Sequence, residues 1–109
     1  MAFQHKQLAD GGWVKLSFFE QMANVGSEIE RTISWKNKNN PDYSRQAFFR
    51  GLELIDLTIS DVKNQSRLRE ITKTREALVD YFIYDNEYHS NNKQWQNYFN
   101  YFLWKVRGS

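Results

Sequence analysis

Apolar side chains recur every three or four positions in four separate runs of the chain, the spacing that lines one face of an α-helix. Phe18, Met22, Val25, Ile29 and Ile33 form the first run, and Phe48, Leu52, Ile55, Ile59 and Val62 the second. Leu68, Ile71, Leu78 and Phe82 form the third, and Trp95, Phe99, Phe102 and Val106 the fourth. Polar punctuation separates them. Ser17 followed three positions later by Glu20 is a capping-box pattern, in which each side chain satisfies a free backbone N–H at a helix start. The first helix should end in the run Asn37-Lys38-Asn39-Asn40. Asn40 can cap the second, with Pro41 at its first position, where a missing N–H costs nothing. Asn64-Gln65-Ser66 closes the second helix, and Ser90 or Asn91 caps the fourth. The spacing predicts helices over 17–36, 41–63, 67–85 and 91–107.

Gly11-Gly12 reads as a turn, followed by an aromatic, Trp13, that packs onto the helices. No Asn-Gly or Asp-Gly turn joins two alternating runs, so no strand pattern competes. The predicted fold is all-α: one domain over residues 1–109, a compact antiparallel bundle of four helices after a short irregular N-terminal segment.

Composition supports an ordered core. Aromatic residues make up 17% of the 109 residues, and proline occurs once. Each buried aromatic removes a large area from water, enough to offset the entropy of ordering so short a chain. The absence of cysteine removes disulfides, thiolate chemistry and cysteine-based zinc sites, and suits a cytoplasmic protein. No run approaches a membrane span, and Met1 to Lys6 carries no signal-peptide pattern.

A helical wheel exposes three anomalies that a plain bundle does not explain. Arg75 falls among Leu68, Ile71, Val79 and Phe82, inside the apolar arc of the third helix. A buried arginine needs a carboxylate, and Glu30, Glu53 and Asp56 are the candidates, forming with Arg75 a possible buried polar site. Glu30 itself sits at the edge of the first helix's apolar arc, beside Ala23 and Gly26, small residues that would let a neighbouring helix approach closely. The third is surplus apolar surface. Leu54, Leu57 and Tyr43 lie opposite the main stripe of the second helix, and Tyr101 and Trp104 point away from the stripe of the fourth. Such a set predicts an interface with a second copy or another protein.

Familiar catalytic constellations are missing. The two histidines, His5 and His89, cannot supply the paired Glu-x-x-His motifs of a di-iron bundle, and no Gly-x-Ser-x-Gly elbow or phosphate loop is present. Neither a metal nor a cofactor is called for. Charges of both signs are interleaved up to residue 90, whereas residues 91–109 hold three basic and no acidic residues. Lys93, Lys105 and Arg107, mixed with aromatics, leave nucleic-acid binding as an alternative, though a sparse one.

Gly11-Gly12-Trp13, Leu16-Ser17, the run Glu20 to Glu28 and the run Leu54 to Ile59 resemble a small, uncharacterised prokaryotic family of all-helical proteins. The resemblance implies a bacterial or archaeal cytoplasmic origin and brings no activity or site with it. The sequence thus points first to a helical interaction module, homo-oligomeric or a partner subunit of another protein. The alternatives are a nucleic-acid-associated regulatory or toxin–antitoxin component, and a ligand-binding protein or enzyme centred on Arg75.

Overall fold

In the computed structural model, which describes residues 11–108, four α-helices run in chain order: α1 (Phe18–Asn37), α2 (Pro41–Ser60), α3 (Leu68–Phe82) and α4 (Asn92–Gly108). Short 3₁₀ turns cover Trp13–Lys15 and Val62–Arg67. No strand is present among the described residues. Among the described residues no helix is long and apolar enough to cross a membrane.

Local chemistry sets each boundary. The Ser17–Glu20 capping box forms in full, with the Ser17 Oγ accepting from the Glu20 N–H at 3.1 Å and Glu20 Oε1 accepting from the Ser17 N–H at 2.9 Å. Asn39 stops α1 by adopting the left-handed region at φ +61, which Asn tolerates better than most residues. Asn40 Oδ1 then caps α2 by accepting from the Tyr43 N–H. Asn91 and Gln94 cap α4 reciprocally, each side chain accepting from the other's backbone N–H.

Two predicted helices are shorter than their apolar stripes. The second ends at Ser60 rather than 63, because Asp61 turns extended and its carboxylate accepts from the Lys63 N–H. That break swings Val62 out of the core stripe to 82% exposure. The third ends at Phe82 rather than 85. Asp80 accepts from the Glu87 and Tyr88 N–H groups, and its carbonyl from the N–H of left-handed Asn86, so the chain is pulled round into a loop. Leu68 and Val106, at the ends of their helices, are also exposed rather than core.

Cross-helix contacts fix the topology. Going down α1, Thr32 meets Ser44, Glu28 meets Arg50 and Gln21 meets Asp61, so α1 and α2 are antiparallel. Phe18 packs on Phe102, Gly26 on Phe99 and Glu30 on Gln96, so α4 also runs against α1. Asp56 with Arg75 and Phe48 with Phe82 pair α2 and α3, while Thr74 with Tyr98 and Tyr81 with Asn92 pair α3 and α4. The helices form an up-down ring in which each neighbours the next and α4 closes on α1. Met22, Val25, Ile29, Ile33, Phe48, Ile55, Ile71, Leu78, Phe99 and Phe102 fill its centre. The close approach at Gly26 is the one its small size suggested: a Cβ there would lie 2.7 Å from the Phe99 Cβ.

Candidate functional site

Arg75 does reach a carboxylate, but not in the core. Its Nε donates to Asp56 Oδ1 at 2.9 Å, with the Arg75 side chain 37% and the Asp56 side chain 50% exposed. Ile71, Thr74 and Leu78 occupy the centre of α3's buried face, leaving Arg75 at its margin with its head free to reach α2. Glu30 lies elsewhere, exposed on α1, where its Oε1 accepts from Gln96 Nε2 at 3.4 Å. Glu53 is half-buried on α2, three residues before Asp56. The four residues therefore do not assemble into one site. A surface pair of this kind is worth about 0–1 kcal/mol.

Among the described residues the buried charges are Glu28 and Asp61. Glu28, 3% exposed, lies between Arg31 and Arg50; its Oε2 accepts from Arg50 Nε at 2.6 Å and its Oε1 from Arg31. Asp61 anchors a larger network at one end of the α1–α2 seam, where α1 begins and α2 ends. Gln21 Nε2 donates to both Asp61 Oδ2 (2.8 Å) and the Trp13 carbonyl (2.9 Å). Asn64 Nδ2 donates to Gln21 Oε1 (2.8 Å) and to the Thr58 carbonyl (2.9 Å), and Trp13 Nε1 donates to Thr58 Oγ1 (3.0 Å). Lys63 closes the network by donating to Asp61 and to the Val14 carbonyl. Burial pushes the Asp61 carboxyl upward, but hydrogen bonds from Lys63 and Gln21, with the lysine charge, outweigh it and hold the group below its ordinary 3.8. Apart from Asn64 Oδ1, which is buried without a hydrogen-bond partner, these donors and acceptors are used on one another, so the network ties the Trp13 segment to α1 and α2.

The buried Glu28 was within reach of the sequence, whereas Asp61 was not. Gln21, Val25, Glu28 and Thr32 recur at steps of four, three and four, an apolar period carrying polar residues. All four are buried against α2. No three histidine, aspartate or glutamate side chains gather into a possible metal site among the described residues.

The surplus apolar surface divides in two. Leu54, predicted to be exposed, is 3% exposed, and Leu57 is half-buried against the core. The correction has a simple cause: α2 sits between α1 and α3, so a helix apolar on two faces is covered on both within the chain. Tyr43 is exposed at its edge but packs its ring on Trp35, 4.9 Å between centroids.

On α4 the surplus stays bare. Trp104 is 70% and Tyr101 50% exposed. Tyr101 is held from below by Phe102 (5.2 Å) and Phe19 (6.4 Å), and Lys105 lies over its ring at 5.6 Å. With Asn100, Leu103 and Arg107, these two aromatics border a shallow groove of about 400 Å³. Asn100 and Leu103 also line the cleft between α4 and α1, so the outer face of α4 is continuous with it. Comparison with protein-family models, curated proteins and solved structures finds no match to the chain.

Proposed function

We propose that this chain is a cytoplasmic helical interaction module that docks another protein through the outer face of α4. The single observation that carries the reading is the exposed pair Trp104 and Tyr101, set on a helix whose opposite face is already spent on the core. Tryptophan and tyrosine in this setting are the residues that dominate binding energy at protein interfaces. The rim chemistry selects the partner. Lys93, Lys105 and Arg107 line the same helix and residues 91–109 contain no acidic side chain, so a partner that is apolar at its centre and acidic at its edges fits best. A second copy fits less well, because two α4 faces brought together would set basic rims against each other. Three cations over a whole helix are also too sparse to track a phosphate backbone.

Site-specific photo-crosslinking from position 104 in source cells tests the proposal, with position 73 on the exposed side of α3 as control. The expected result is one dominant protein adduct from 104 and not from 73, its crosslinked segment rich in acidic and apolar residues. Adducts dominated by nucleic acid, by a second copy of the chain, or identical from both positions would overturn it.

A further inference from the structure

A second groove, independent of the α4 face, opens where the end of α1, the start of α2 and the end of α3 meet. It holds about 560 Å³, within the range of small-molecule sites. Partly exposed Phe82 forms the aromatic floor, backed from beneath by the core ring of Phe48 at 5.1 Å between centroids, and exposed Phe49 and Ile83 stand at its walls. The polar lining is one-signed. Lys36 and Arg45 contribute the charges, and no carboxylate lines the groove.

The neutral polar groups beside them are already engaged. Ser44 Oγ donates to the Thr32 carbonyl at 2.8 Å, and Thr32 Oγ1 to the Glu28 carbonyl at 2.8 Å. Neither cation is neutralised by a carboxylate among the described residues. Arg45 has no ion-pair or hydrogen-bond partner among the described residues, and the Lys36 ammonium rests over the Tyr81 ring, 5.7 Å from its centre, without a carboxylate. Pro41, at the positive N-terminal end of α2, also borders the groove.

An apolar floor under two unpaired cations is complementary to one chemical class, an apolar body carrying a single anionic head. We infer that this groove binds amphipathic carboxylates, the chain or ring lying on Phe82 between Phe49 and Ile83 and the carboxylate meeting Arg45 and Lys36.

Titration calorimetry with decanoate below its micellar concentration tests this on the full chain, with decanol as the neutral match. The expected result is saturable one-to-one binding of decanoate, at least tenfold tighter than decanol. Arg45→Gln and Lys36→Gln, both on exposed side chains, should each weaken decanoate about fivefold or more and leave decanol unchanged. Equal binding of acid and alcohol, no saturable binding, or decanoate binding indifferent to both substitutions would overturn the inference. So would a concentration-dependent dimer abolished by Phe49→Asp, which would assign the groove to a second copy.

Discussion

Gln21 ties together the end of the bundle where the N-terminal segment meets α1 and α2, and replacing it with methionine isolates that role. Methionine fills nearly the same space, so the substitution removes hydrogen bonds without opening a cavity. Three bonds go: two from Nε2, to Trp13 and Asp61, and one accepted by Oε1 from Asn64. The two neutral bonds contribute about 1 kcal/mol each and the bond to the Asp61 carboxylate about 1.5–3. The Trp13 carbonyl loses its Gln21 donor, while Asn64 retains Thr58 and Asp61 retains Lys63. Against this, methionine gains some apolar burial. The net loss should be about 3–4 kcal/mol, which for a domain of this size lowers Tm by roughly 12–20 °C. Urea unfolding followed by far-ultraviolet circular dichroism, with Tm from calorimetry, reads both. A loss below about 1 kcal/mol would refute the claim that this network holds the Trp13 segment in place.

Four further outcomes follow from the same structure. Gly26→Ala gains about 1 kcal/mol of helix propensity but sets a Cβ 2.7 Å from the Phe99 Cβ, which cannot rotate away; α4 must shift, and urea unfolding should show a net loss of about 1–2 kcal/mol. Gly51→Ala meets only the flexible tip of Ile29 at 3.3 Å and the Glu28 Cβ at 3.4 Å, so the same measurement should find it neutral or stabilised by up to about 1 kcal/mol. Arg75→Ala should cost no more than about 1 kcal/mol, since its pair with Asp56 is open to solvent; a loss above 3 would mean the arginine acts as a buried charge after all. Burial raises the Tyr98 phenol above 10.0, the nearby Glu70 carboxylate adding to the rise and the Thr74 hydrogen bond opposing it. Its contribution is therefore complete below pH 10 and lost as pH rises through the higher folded value, so Tyr98→Phe should flatten alkaline unfolding curves.

The helices were legible because their apolar stripes and caps are local. Ser17 with Glu20, Asn40 with Pro41, and Asn91 each carry their own signal within three or four residues. The ends of α2 and α3 were not, because they are set by side chains reaching across space: Asp61 is drawn inward by Gln21, forty positions away in the chain, and Asp80 captures a loop beyond its helix. A wheel reports direction but not how wide a strip the neighbour covers. It therefore placed Arg75 inside the fold and Leu54 outside it, when α3 buries only a narrow strip and α2 is covered on both sides. The exposure of Tyr101 and Trp104 was readable because α4 packs through a single stripe.

The central claim is that this bare aromatic face on α4 is a protein-binding surface with a basic rim. Its most direct test is the affinity of the crosslinked partner, purified, for the wild-type chain and for Trp104→Ala, measured at low and high salt. Loss of a central tryptophan costs 2 kcal/mol or more at such interfaces, so Kd should rise about thirtyfold or more, with the wild-type complex weakening as salt increases. Equal affinities for the two chains would contradict the account.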